Sequence, residues 1–250
     1  MEQQISLDLL RKFDPSATSA LVRDRTVYYF FKAVLDIVLA GIALVLLLPV
    51  FAVLALLIRL DSPGPVFFVQ KRVGARRWTY DGYSYWQKVE FPCFKLRTMY
   101  HRADDSIHRA YMKALIENDQ TQMEALQGGQ SAVHKLADAD PRITRIGRIL
   151  RKYSLDELPQ FWNVMRGEMS LIGPRPAIPY EVEMYHPWQL ERLKAQPGIT
   201  GLQQVKARCI AGFDEQIRLD IWYIDHQSLG LDLKILLETP ITVLHRKGAC

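Results

Sequence analysis

The sequence predicts an α+β fold, mostly helical with a few short strands, standing on a membrane through one apolar helix near its N-terminus. Three observations point there. Residues 37–58 carry no charge at all. Helical patterns recur at about 142–152, 156–166, 180–195, 213–226 and 231–246. Only two short runs, 66–69 and 94–99, read as strands.

The apolar run is IVLAGIALVLLLPVFAVLALLI. At about 22 residues it is long enough to cross roughly 30 Å of hydrocarbon as a straight helix. Pro49 lies in its middle, where it removes a backbone hydrogen bond and kinks a helix. Arg23, Arg25 and Lys32 precede the run, and Arg59, Lys71, Arg72, Arg76 and Arg77 follow it. Positive residues mark the cytoplasmic side. Positive flanks at both ends fit a helix that enters the membrane and turns back at Pro49. A tilted span with its N-terminal arm outside fits the charge and the proline equally well. Asp36 is costly in lipid, so it is expected at the interface or paired with Lys32, four residues earlier.

With 49% hydrophobic and 24% charged residues in a chain of 250, a packed core forms and wholesale disorder is excluded. The net charge of +5 favours anionic partners: phosphates, nucleic acid or acidic lipid. Cys93, Cys209 and Cys250 are scattered and fit no zinc spacing, as expected of reduced thiols in the cytosol. The apolar run starts too late and is too long for a secretory signal.

Three parts are expected: a polar arm over 1–26, the membrane helix over 27–60, and a catalytic domain over 61–250. Asp61-Ser62-Pro63-Gly64-Pro65 stops the membrane helix. Residues 75–92, aromatic and mixed in charge, read as a surface excursion. Residues 103 to about 128 carry a largely polar helical pattern and read as a solvated insertion, part of a longer one reaching 139.

The densest polar stretch runs from Arg142 to Pro159. Its cations lead up to two adjacent carboxylates, Asp156 and Glu157. Proline is tolerated only in the first turn of a helix, so Pro159 places a helix start close to Asp156, with Gly167 as its stop. A helix N-terminus favours anions, phosphate included. Arg148, Arg151 and Lys152 share a side of the preceding helix and are placed to bind phosphate oxygens. The competing reading is structural: Ser154 and Glu157 have the spacing of a capping box. The chemical reading has one carboxylate as nucleophile and its neighbour holding a metal. Further on, prolines on both sides of Arg175 fix one guanidinium, which suits phosphate recognition; an ordinary surface turn also fits.

Several motifs occur in order: Gln70-Lys-Arg72-Val-Gly74, Phe94-Lys95-Leu-Arg97-Thr98-Met99, Ser154-Leu-Asp156-Glu157-Leu-Pro159-Gln160-Phe-Trp-Asn163, Met169-Ser170-Leu-Ile-Gly173-Pro174-Arg175-Pro176 and Pro197-Gly198-Ile-Thr200-Gly201. Together they resemble the bacterial sugar transferases known as monotopic polyprenyl-phosphate phosphoglycosyl transferases, from about residue 30 onwards. The resemblance implies a re-entrant helix broken at Pro49, with both flanks on the cytoplasmic face of the bacterial inner membrane. It also implies a ping-pong transfer of a phosphosugar from a UDP-sugar to polyprenyl (undecaprenyl) phosphate, releasing UMP, in exopolysaccharide or related glycan assembly. By that resemblance Asp156 is the nucleophile and Glu157 the acid that binds magnesium (Mg2+). Lys95, Arg151 and Arg175 are its basic site positions and Asp220 a further acidic one. The stretches at 75–92 and 103–139 exceed what the smallest members need; a lid, a sugar-selecting surface and self-association into a homodimer are uses they offer. The family's long members carry extra N-terminal membrane helices, where this chain has a short arm.

Rival readings rest on less. Asp138-Ala-Asp140 resembles the metal-holding Asp-x-Asp pair of a glycosyltransferase that releases UDP. His101, Asp104, Asp105 and His108 form a loose cluster, better explained as a solvated helix face. The C-terminal helix, apolar on one side, suits a membrane interface or the core. A scaffold or nucleic-acid binder has only the basic run 142–152 behind it. No nucleic-acid signature accompanies that run, so nucleic acid is not an expected partner.

Overall fold

The computed structural model describes residues 22–23, 25–80, 83–101, 106–117, 119–126, 140–206 and 212–244. Cys209, Cys250, Asp104, Asp105 and Asp138 lie outside them, as does the side chain of His108.

The apolar run belongs to a 36-residue helix, α1 (Thr26–Asp61), with Pro49 inside it. Its buried positions are Lys32, Asp36 and Ala40 towards one end, and Leu54 and Ile58 towards the other. Leu46 and Leu48, between them, are 69% and 62% exposed. Both ends are therefore held by the rest of the chain, and the middle presents bare hydrocarbon. At the first end, Lys32 Nζ pairs with Asp232 Oδ2 at 2.9 Å, and Asp36 Oδ1 accepts from the Leu171 amide at 3.0 Å. Asp36 keeps the attraction of Lys32 expected from their spacing, and each residue also has a partner in the domain, because burying either charge on the helix alone is costly. At the other end, Arg97 donates to the carbonyls of Ser62 (2.8 Å) and Pro65 (2.6 Å), a cation at a helix C-terminus. Asp61 Oδ2 there accepts from the Ile146 amide at 2.9 Å, tying the end of α1 to the first turn of a later helix.

The strand runs at 66–69 and 94–99 are the base of one long hairpin, β2 (Phe67–Tyr80) and β3 (Tyr83–Leu96), each 14 residues. The short strand β1 (Val22–Arg23) adds to the β3 side, giving the order β1-β3-β2. The reading of 75–92 as a surface excursion is corrected: these residues continue the ladder down to Tyr80↔Tyr83, and Trp86 and Phe91 are buried. Asp81-Gly82 between two strands is the strongest short hairpin signal a sequence offers.

The solvated insertion is corrected too. Helices α2 (Ser106–Ile116) and α3 (Gln120–Leu126) bury Tyr111, Ala114, Leu115, Ile116 and Met123 in a core with Val182, Tyr185, Phe213 and Ile217. Helix α4 (Arg145–Lys152) is capped by Thr144, whose hydroxyl accepts from the Gly147 amide at 3.0 Å. It is followed by a 3-10 turn (Leu155–Glu157) and α5 (Gln160–Met165). Two short parallel strands, β4 (Ser170–Ile172) and β5 (Gly198–Thr200), pair beneath the site. The stretch predicted as one helix over 180–195 is α6 (Pro179–Glu183) and a 3-10 turn (Gln189–Leu193). After α7 (Leu202–Lys206) come α8 (Phe213–Asp225) and α9 (Leu229–Leu244), close to the predicted last two helices. Helix α9 buries Asp232 and Ile235 and exposes Leu233, Leu237 and Ile241, so it has both a core and an outward apolar side.

Candidate active site

Asp156 and Glu157 do not start an α-helix. Ser154 adopts a left-handed conformation (φ 55°) that turns the chain out of α4. Residues 155–157 then close one tight 3-10 turn, and α5 begins at Gln160, after Pro159. Ser154 makes no side-chain cap, so the capping-box reading is corrected. The strain of a left-handed serine marks a place where the turn serves something other than helix initiation.

What surrounds the acids is cationic. Glu157 Oε1 receives Lys95 Nζ at 3.0 Å and an Arg175 nitrogen at 3.1 Å. The strongest electrostatic neighbours of Asp156 are Lys95, Glu157, Arg151 and Arg175. Burial pushes Asp156 above the usual carboxylate range, with Lys95 opposing and Glu157 adding to the rise. Five of the six residues marked by the resemblance thus converge, although they come from a strand, a helix end, a turn and a loop. Arg145, Arg148 and Lys152, the other cations of α4, are exposed, as is part of Arg151.

Each cation is fixed for a local reason. Lys95 lies on β3, which Asn163 of α5 grips from the side: its amide nitrogen donates to Pro92 O (2.7 Å) and its oxygen accepts from the Phe94 amide (3.1 Å). Asn163 is fully buried, so the strand of Lys95 and the helix after Glu157 cannot slide apart cheaply. Arg151 Nε donates to Thr98 Oγ1 at 2.9 Å. Gly147 makes that contact possible, since a Cβ there would stand 2.0 Å from Thr98 O.

Arg175 sits on the most firmly held segment of all. Four consecutive carbonyls accept hydrogen bonds from separate places: Pro174 from the Gly198 amide (2.8 Å), Arg175 from Arg192 (3.1 Å), Pro176 from Arg72 (2.9 Å) and Ala177 from the Val73 amide (2.8 Å). The surface-turn reading fails against this lattice. Gly198 and Gly173 let β5 and this segment meet, because a Cβ on Gly198 would lie 2.1 Å from Gly173 N.

Asp220 is buried one layer behind. Its Oδ2 accepts from Arg192 at 2.7 Å, and the same guanidinium donates to the Arg175 carbonyl and to Tyr185 Oη (3.0 Å). Burial pushes Asp220 up to about 6, with Arg192 opposing. Asp220 therefore positions Arg175 through Arg192. Arg192 itself was not singled out from sequence; its partner is 28 residues away and no local spacing announces it.

Hard carboxylate oxygens at Glu157, with Asp156 beside it, suit magnesium, which is held by one or two carboxylates and completed by substrate phosphates and water. The described residues contain no cluster of three or more metal-ligating side chains. The donor set thus fits a metal shared with a phosphate ligand and does not fit an all-protein cage. Of the rival metal pair, Asp140 accepts from Arg142 through both carboxylate oxygens (2.7–3.1 Å), and Asp138 lies outside the described residues.

Residues 27–246 match the family described as Bacterial sugar transferase. The chain belongs to the bacterial sugar transferase family. This sugar transferase is similar to the exopolysaccharide production protein ExoY of Rhizobium meliloti (strain 1021), 33% identical over 237 residues, covering 95% of this chain and 94% of that protein. It is 36% identical to the undecaprenyl-phosphate galactose phosphotransferase of Salmonella typhimurium, over 88% of this chain and 42% of that one. It is 37% identical to the UDP-glucose:undecaprenyl-phosphate glucose-1-phosphate transferase of Caulobacter vibrioides, over 87% of this chain and 71% of the relative. The chain thus spans nearly all of one relative and less than half of another.

Proposed function

We propose that this protein transfers a phosphosugar from a UDP-sugar to polyprenyl phosphate. Asp156 attacks the sugar-linked phosphorus; the bond to the bridging oxygen breaks, UMP leaves, and the phosphosugar is esterified to Asp156. An oxygen of polyprenyl phosphate then attacks the same phosphorus, the aspartyl bond breaks, and a polyprenyl diphosphate sugar departs. The observation that carries this reading is the Asp156–Glu157 turn set among Lys95, Arg151 and Arg175 on separately anchored elements. Preorganised charge of that kind stabilises a phosphoryl group in transfer. Magnesium bound at Glu157 would supply further positive charge to the phosphate oxygens. Relatives whose names specify undecaprenyl-phosphate sugar-phosphate transfer support the same donor and acceptor classes.

The two ends of α1 support a re-entrant arrangement in the membrane. Lys32 and Asp36 are bonded to the domain at one end and Asp61 at the other. A true span would place those ends on opposite sides of the bilayer; one polar domain holding both favours a re-entrant helix, with Pro49 in its exposed middle. The domain then rests on the cytoplasmic face of the inner membrane, where the acceptor phosphate lies. Incubation with a panel of UDP-sugars and polyprenyl phosphate tests the function: UMP release is expected, and UDP release instead indicates a glycosyltransferase.

A further inference from the structure

One guanidinium beside the site, Arg72, anchors the Arg175 segment through Pro176 O and still has a donor to spare. Arg72 stands on β2, and the pairs Phe68↔Lys95, Gln70↔Cys93 and Arg72↔Phe91 put it on the face of the hairpin that carries Lys95. With Lys95, Glu157, Gln160 and Arg175 it lines a tight depression of about 10 Å³, room for one water-sized group. That is far below the roughly 300 Å³ at which ligand clefts begin, so it admits the oxygen of one phosphate and leaves the rest of a nucleotide sugar outside.

Arg72 is held by neutral acceptors only: Nη1 donates to Pro176 O at 2.9 Å and Nη2 to Gln70 Oε1 at 2.7 Å. Its Nε is buried and has no hydrogen-bond partner. The nearby carboxylate of Glu181 is engaged in accepting from the Ile178 amide at 3.0 Å. Cys93 offers no counter-charge, because burial pushes its thiol up and keeps it neutral. Lys95 and Arg175 share Glu157, whereas Arg72 has no ion pair among the described residues. Arg72 is half-buried, and a buried Nε with no acceptor is costly and rare in a folded protein; an anion relieves it.

We infer that Arg72 is the receptor for the phosphate monoester end of the reaction, holding the UMP phosphate as it leaves and the polyprenyl phosphate as it enters. This rests on the transfer proposed above. Lys95, Glu157 and Arg175 line the depression together with Arg72, and Asp156 adjoins Glu157 in the tight turn without lining it. These groups form one charged array. In-line displacement needs the leaving oxygen on the far side of phosphorus from the nucleophile. A diphosphate laid along the array with its sugar-linked phosphorus at Asp156 directs its other phosphate to Arg72. Once UMP has gone, the acceptor phosphate must approach that phosphorus from the same side.

UMP itself is the probe, with its binding to the full chain in detergent micelles or nanodiscs measured by calorimetry, independently of turnover. Arg72→Gln is expected to weaken UMP binding about 10- to 100-fold, the worth of one or two charge-assisted bonds. Uridine, which lacks the phosphate, should bind both proteins alike, and the KM for polyprenyl phosphate should rise with the loss of UMP affinity. Arg72→Lys should recover part of the loss. UMP affinity within twofold of wild type in folded Arg72→Gln overturns the assignment, as does an equal loss for UMP and uridine. Should Arg72→Gln fail to fold, Arg72→Lys carries the test, with about a tenfold loss expected and an unchanged affinity overturning it. A wild-type protein that binds UMP through Arg72 yet never releases it from a UDP-sugar refutes the transfer reaction and leaves the phosphate site standing.

Discussion

Replacing Asp232 by Asn should unfasten the first half of the membrane helix. Asp232 takes Lys32 Nζ at 2.9 Å, Tyr28 Oη at 2.8 Å and Tyr223 Oη at 2.6 Å, and the side chains of Lys32 and Asp232 are only 8% and 4% exposed. Asn keeps the shape and removes the charge, leaving the Lys32 ammonium buried without its partner. Breaking such a pair costs about 3–5 kcal/mol. Asp36, one turn along the same helix, retains some attraction for Lys32 and places the expectation at the low end. At roughly 2–4 °C per kcal/mol for a chain of this size, about 3 kcal/mol lowers Tm by about 6–12 °C. Thermal unfolding in nanodiscs measures it. Lys32→Met with Asp232→Leu should recover part of the loss, because the apolar pair removes the unpaired ammonium while the Tyr28 and Tyr223 hydroxyls lose their acceptor. The two single costs adding up in the double variant would mean that Lys32 and Asp232 never meet. The helix end would then be free to lie across the bilayer, and the re-entrant reading would fall with the pair.

Other expectations are narrower. Gly147→Ala forces a methyl into Thr98 O and should displace Arg151, lowering kcat/KM by at least tenfold; normal activity would show that Arg151 needs no such seat. Asp220→Asn weakens the hold of Arg192 on the Arg175 carbonyl, so the KM for the UDP-sugar should rise severalfold in a protein that still folds. Asp220 is ionised above about 6 and neutral below it, so wild-type kcat/KM should fall as pH drops through that value, and the Asn variant should lack that step. Excess chelator should stop UMP release and added magnesium restore it; full activity in chelator removes the metal role from Glu157.

The sequence made the membrane helix, α8 and α9 legible because each carries its signal within one continuous pattern. The site residues were found through motif order, since Lys95, Asp156 and Arg175 are far apart in the chain and no periodicity joins them. The local reading of Asp156 failed where a left-handed Ser154 overrode the usual link between proline and helix start. The hairpin was read only at its base: the aromatic and mixed-charge residues towards its far end resembled a surface excursion, although Asp81-Gly82 held the turn signal. Helices α2 and α3 looked solvated because their polar residues outnumber the few that pack. What Tyr111 and Met123 pack against, Val73 on one side of them in the chain and Ala177 to Ile217 on the other, lies where no local window reaches. Arg192 and Arg72 owe their roles to carbonyls and carboxylates brought by tertiary structure, which is why neither could be assigned from spacing.

Mass spectrometry of the intact protein, quenched after mixing with a UDP-sugar in the absence of acceptor, goes to the centre of the account. A mass increase equal to one phosphosugar, mapped to Asp156, absent from Asp156→Asn and discharged by polyprenyl phosphate, is the expected result. Rapid product formation with the protein mass unchanged at every time point would mean that the phosphosugar passes directly between the two substrates, and that Asp156 is never its carrier.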